Sequence, residues 1–128
     1  MIEEEIAIRT PDGVPGGYLY RAEEGQPRPG VILLTDIGGI RDTFRDMARR
    51  LAEEGYTVLM PNAFYRTGKP PLFDFPPRAA DERTMKRFDE LRAPLTPKAV
   101  ERDADAYVEF LAGHRSVSGG VMGVVGYC

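Results

Sequence analysis

The residues with the clearest chemical potential come at the end of the chain. Gly120-Val121-Met122-Gly123-Val124-Val125-Gly126-Tyr127-Cys128 reads as an apolar strand that delivers a thiol to the point where a helix should begin. A side chain on such a sharp turn stands clear of the sheet, and Gly126-x-Cys128 is the first half of the G-x-[S/C]-x-G pattern of a nucleophile elbow. At the amino end of a helix the dipole favours the reactive thiolate, which suits the sulfur to attack on a carbonyl carbon. The plainer reading is that a lone free cysteine acts as a small buried hydrophobe. Its place directly after an apolar strand and Gly126-Tyr127 favours the nucleophile.

A nucleophile of this kind needs a base, and His114 is the only histidine in the chain. It precedes the last strand whereas Cys128 follows it, so about eight strand residues at ~3.3 Å each separate the two by roughly 25 Å. Proton transfer requires about 3 Å. His114 therefore reads as a surface residue near a helix carboxyl end, and any base must come from elsewhere. Asp36 directly follows an apolar run, which makes it either a pocket residue or a loop acid that turns the chain. The arginines Arg66, Arg78, Arg83, Arg87 and Arg92 are interleaved with Asp74, Asp81, Glu82, Asp89 and Glu90, as on a solvated face. The spaced glycines 120, 123 and 126 fall inside a strand rather than after it, which argues against a dinucleotide loop.

These residues must be held by a small globular unit. The chain has 128 residues, 42% of them hydrophobic and 29% charged, enough for one core. A net charge of −3 makes nucleic acid or an anionic membrane surface poor partners, and no apolar run approaches the ~20 residues that span a bilayer. One cysteine excludes an internal disulfide, and the acidic start Met1-Ile2-Glu3-Glu4-Glu5 lacks the basic and apolar parts of a secretory signal, so a cytoplasmic setting is expected.

Residues 2–9 alternate acidic and apolar residues, and after the turn Pro11-Asp12-Gly13 a second strand fits 17–22, giving an antiparallel edge hairpin. Gly30 to Thr35 and Tyr56 to Pro61 are continuous apolar runs, the mark of strands covered on both faces. Between them Phe44, Met47, Ala48 and Leu51 predict a helix over about 42–54, with Asp42 as N-cap and Gly55 as stop. A proline-rich excursion covers 62–97 and contains an amphipathic segment at Met85, Phe88 and Leu91. Thr96-Pro97 then opens a helix with the stripe Val100, Ala104, Tyr107, Val108 and Leu111, before a last strand at about 119–126. This order predicts an α/β architecture. Ligands bind beyond the carboxyl ends of such strands, so Asp36–Gly39, Asn62–Arg66 and Cys128 are expected on one pocket rim.

Three stretches, at matching separations, together resemble the dienelactone hydrolase family. They are Leu34-Thr35-Asp36-Ile37-Gly38-Gly39-Ile40, then Glu54 to Asn62 with Phe64-Tyr65-Arg66, and finally Val125-Gly126-Tyr127-Cys128. The resemblance implies an α/β-hydrolase-like, mostly parallel sheet flanked by helices, and activity on a small ester or lactone substrate through a cysteine acyl-enzyme. It also implies that residues 1–128 are the N-terminal part of a single domain, ending at the elbow, with the catalytic Asp and His supplied by a further segment or chain. By the same resemblance Cys128 is the nucleophile, the Ile37 backbone N–H serves the oxyanion hole, and Asp36 contacts the resting thiol. Asp36 stands where the dienelactone enzymes usually have glutamate, one methylene longer. Those enzymes also hold a substrate carboxylate with an arginine at a position that aligns with Met85, for which Arg83 or Arg87 could substitute. No cofactor and no metal are implied. The alternative is a non-catalytic α/β binding or scaffold domain of the same fold. An apolar last strand left as an uncovered edge invites association, so the isolated chain is expected to be poorly soluble or to take a partner.

Overall fold

The computed structural model describes all residues, 1–128. Its elements run β1 (Ile2–Ala7), β2 (Gly16–Arg21), β3 (Gly30–Leu34), α1 (Asp42–Glu53), β4 (Thr57–Pro61), α2 (Glu82–Arg92), α3 (Pro97–Ala112) and β5 (Gly123–Gly126). The five strands form one sheet in the order β1-β2-β4-β3-β5. β2 is antiparallel to both β1 and β4, whereas β3 is parallel to β4 and to β5. Only β2 runs against the rest, which agrees with a mostly parallel sheet carrying an edge hairpin.

Alternation within the apolar strands explains why both faces are covered. Leu33, Val58 and Met60 point to one face, where Phe44, Ala48 and Ala52 of α1 close over them. Ile32 and Leu59 point to the other, against Ala106, Tyr107 and Leu111 of α3. Two helix details differ from expectation. Arg41, not Asp42, is the N-cap of α1, and Asp42 instead places its charge in the first turn, at the positive end of the helix dipole. In α3 the buried stripe is Ala99, Asp103, Ala106, Tyr107 and Leu111, while Val100 and Val108 are 47% and 43% exposed. Of the stripe read from the sequence Tyr107 and Leu111 are buried, whereas Val100, Ala104 and Val108 are exposed and their places are taken by Ala99, Asp103 and Ala106. Thr96 does cap α3, accepting from Ala99 N–H at 3.2 Å, with Pro97 in its first turn.

Two ionic clamps fasten the hairpin to the helical layers. Glu3 on β1 accepts from Arg45 (2.8 Å) and Arg49 (2.9 Å) of α1, and the Arg45 hydrogen bond chiefly holds its carboxyl down to about 2 from an ordinary 4.5. On the other side, Arg66 donates to both oxygens of Asp103 on α3, at 2.7 and 2.9 Å, while Asp12 in the hairpin turn accepts from Arg66 and Arg102.

The excursion between β4 and α3 folds onto its own small core of Phe64, Leu72 and Leu91, with Ile37, Ala63, Phe73 and Leu95 packed around it. Asp81 caps α2 by accepting from Thr84 N–H at 3.1 Å. β5 begins at Gly123, later than the sequence suggests, and lies at the sheet edge with Val124 65% exposed, while Val121 ahead of it is 89% exposed. No helix is long and apolar enough to cross a membrane.

Candidate active site

The carboxyl ends of β3 and β5 lie side by side. Their register pairs Leu34 with Gly126, and Tyr127 N–H donates to the Leu34 carbonyl at 3.2 Å, carrying the pairing one residue past the strand. Asp36 and Cys128 follow two residues beyond those partners. The Tyr127 ring packs on Phe44 of α1 at 5.6 Å, which anchors the chain immediately before Cys128, and Cys128 itself is exposed.

The loop after β3 is locked by Asp36. Its Oδ1 accepts from Gly38 N–H at 2.9 Å and from Arg41 at 2.8 Å, and its Oδ2 accepts from Arg41 at 3.1 Å. Arg41 also donates to the Gly39 carbonyl at 2.9 Å, so one guanidinium spans the whole loop. The Arg41 hydrogen bond is the main reason the Asp36 carboxyl sits below the usual carboxylate range, with Gly38 N–H adding to it. Since Asp36 and Arg41 are 30% and 44% exposed, the pair adds little stability, and its main effect is to fix the loop. Gly39 has φ +79°, and a Cβ there would lie 2.5 Å from Leu72 Cδ1, so only glycine admits both this backbone and the close approach of the excursion. In the resulting conformation Gly38 and Gly39 N–H are taken by Asp36, whereas Ile37 N–H donates to no atom of the chain.

Asp36, Ile37 and Gly38 form one side of a cavity of about 530 Å³. The opposite side comes from the excursion and α2: Leu72, Phe73, Phe75, Met85 and Phe88, together with the exposed Arg78. Phe73 meets Phe75 and Phe88 edge-on, at 5.7 and 5.8 Å between ring centres. No group of three or more His, Cys, Asp or Glu side chains is gathered so as to hold a metal ion.

The residues expected on a single rim are only partly brought together. Asp36 to Gly38 reach the cavity, but Cys128 is not among the residues that line it, Tyr65 and Arg66 turn away to Asp103, and Asn62 caps its own loop by accepting from Phe64 N–H at 3.1 Å. Arg83 and Arg87 lie on a separate hollow of about 500 Å³ behind Leu72 and Phe75. There the Arg83 guanidinium stacks 3.8 Å over the Phe75 ring, and Arg87 donates to the Leu72 carbonyl at 2.9 Å and to Glu90. Both arginines brace the cavity wall from outside. His114 lies just past α3 with Nδ1 2.7 Å from Ser116 Oγ. Its neighbour Val117 bridges to Arg28 ahead of β3, at the opposite end of the sheet from Cys128. Arg41, Phe73 and Phe75 were not singled out in the sequence. The signals available were an arginine five residues after Asp36 and two phenylalanines between proline pairs.

A family model described as the dienelactone hydrolase family matches residues 16–128. The carboxymethylenebutenolidase of Pseudomonas putida is 27% identical over 128 residues, covering 100% of this chain and 52% of that protein. The protein of the same name from Rhodococcus opacus is 38% identical over 60 residues, covering 47% of this chain and 24% of its own length. Among solved structures, one from Klebsiella pneumoniae subsp. pneumoniae MGH 78578, provisionally described as a dienelactone hydrolase, is 26% identical with a TM-score of 0.82, covering 99% of this chain and 50% of that one. The chain thus spans about half the length of the full-coverage relatives.

Proposed function

The chain belongs to the dienelactone hydrolase family, and from that premise we propose that it takes part in hydrolysis of a small ester or lactone, with Cys128 as nucleophile. The thiolate sulfur attacks the carbonyl carbon, the bond to the leaving oxygen breaks, and that oxygen takes up a proton from a general acid. Water then adds to the thioester carbonyl, giving up a proton to the same group, and the thiolate leaves with the carboxylic acid released. The observation that carries this reading is the pairing of β5 with β3, which sets the thiol-bearing end beside a loop whose Ile37 N–H is uncommitted. A rigid backbone donor of that kind suits the oxyanion of a tetrahedral intermediate.

Asp36 has a positional role in this proposal. As the acid nearest in register to Cys128, it contacts the resting thiol while Arg41 remains its ion-pair partner. The catalytic base and its orienting acid come from polypeptide outside residues 1–128, a view supported by the position of His114 and by relatives about twice as long. Residues 1–128 then form the N-terminal part of one α/β-hydrolase domain.

The test is made on protein isolated from its source organism, so that any further polypeptide accompanies it. Selective alkylation of Cys128 near neutral pH should abolish turnover of p-nitrophenyl acetate, and Cys128→Ala should lower the rate at least about a hundredfold. Equal turnover by the Cys128→Ala protein overturns the nucleophile assignment. Failure of both alkylation and turnover leaves the non-catalytic binding module as the reading.

A further inference from the structure

We propose that the 530 Å³ cavity beside Ile37 is an acyl subsite for neutral, apolar esters and lactones, and that Met85 is the residue that sets this preference. The inference rests on the hydrolase reading for what happens to the ligand, but not for its binding. Its volume falls within the ~300–1,000 Å³ typical of small-molecule sites.

The argument is one of charge and stiffness. Three charged side chains reach the cavity: Asp36, Arg41 and Arg78. The first two neutralise each other through a two-armed ion pair at 2.8 and 3.1 Å. Arg78 is exposed, and only its backbone is engaged: its N–H donates to Thr84 Oγ1 at 3.0 Å and its carbonyl accepts from Asp81 N–H at 3.2 Å, so its guanidinium is left to solvent. The facing wall is left to Leu72, Phe73, Phe75, Met85 and Phe88. It offers an anion no donor, so a carboxylate seated there loses its hydration without replacement.

The wall is also braced, and so does not readily rearrange to admit charge. Phe73 sits edge-on between Phe75 and Phe88, Arg83 stacks on the outer face of Phe75 at 3.8 Å, and Arg87 ties the Leu72 carbonyl at 2.9 Å. Met85 is the one unbranched, adaptable side chain among them. It is 38% exposed and supplies an apolar surface that can shape itself to chains of different length.

The experiment uses the Cys128→Ala protein together with the polypeptide that accompanies it in its source, labelled with ¹³C at the methionine methyls and with the Met85 signal assigned through Met85→Leu, and needs no catalysis. Met85 is the only one of the five methionines on this cavity. Titration with methyl butanoate and methyl hexanoate should move the Met85 methyl resonance, with affinity rising about fourfold per added methylene, hence about 15-fold between the two esters. Sodium hexanoate should bind at least about tenfold more weakly than its methyl ester, and Met85→Arg should reverse that order. If Met85→Arg does not fold, the comparison of ester with acid decides alone. Hexanoate binding as tightly as the ester, with Arg78→Ala removing its binding, overturns the proposal and makes the site an anion subsite. A Met85 resonance unmoved by either ligand also overturns it. Ester binding here without turnover by the source-derived protein sinks the hydrolase reading and leaves the subsite, whereas turnover without a response at Met85 does the opposite.

Discussion

Removing the carboxylate of Asp103 is the most informative perturbation of the scaffold. Asp103 is 5% exposed and accepts two bonds from Arg66, whose own side chain is 14% exposed, and a third from the Tyr65 hydroxyl at 2.8 Å. Asp103→Ala leaves that guanidinium largely buried with only the Asp12 carboxylate as counter-charge, itself 28% exposed and shared with Arg102. Breaking a buried pair from one side costs about 3–5 kcal/mol, and the remaining Asp12 contact places this case near about 3 kcal/mol. At about 0.05–0.15 kcal/mol per residue the whole fold is worth roughly 6–19 kcal/mol, so the loss is a large part of the total. Urea unfolding followed by circular dichroism should show an earlier midpoint at unchanged slope, and the melting temperature should fall by about 10–15 °C. Replacing both partners, Arg66→Met with Asp103→Leu, should recover most of that loss, because the cost lies in the stranded charge rather than in a missing attraction. A single variant that costs less than about 1 kcal/mol would falsify the reasoning, since the pair would then behave as an ordinary solvated surface bridge.

Two further outcomes follow from local geometry. Because the Glu3 carboxyl lies near 2 rather than 4.5, its clamp on α1 stabilises the fold fully above about pH 4.5 and is lost as pH falls toward about 2. After screening this amounts to about 1–2 kcal/mol. Denaturant titrations between pH 6 and pH 2.5 should show that loss in the parent chain and a flatter profile in Glu3→Gln; parallel profiles would refute the assignment. Gly39→Ala imposes a side chain at φ +79° with its Cβ 2.5 Å from Leu72, and should cost about 1–3 kcal/mol and weaken ligand binding in the adjoining cavity. A melting temperature within about 1 °C of the parent would show that the loop yields freely.

Much of the fold was legible because burial on both faces leaves a strong imprint. The runs Gly30–Leu34 and Thr57–Pro61 could be read as central strands from continuity alone, and the cap Thr96-Pro97 located the start of α3 to the residue. The buried face of α3 was legible only at Tyr107 and Leu111, since Asp103 is buried for an ion pair with Arg66, 37 positions away, and nothing local marks it as interior. The same limit applies to the cavity. Asp36 and Ile37 could be picked out by their place after a strand, but Arg41 looked like any surface arginine until the loop folded it back across Asp36. Arg83 and Arg87 could be placed on α2 but not on its correct side, because a few charged residues amid prolines do not reveal which face the excursion turns inward.

The excursion has a hydrophobic nucleus of its own, Phe64, Leu72 and Leu91, separate from the two clusters that sandwich the sheet. Such a division lets one part of a protein drift in sequence while another stays fixed. Exchanges along residues 70–92 can reshape the cavity wall while the strands that precede Ile37 and Cys128 keep their packing. Chains that share this scaffold can therefore differ in the shape of the cavity while keeping the same sheet.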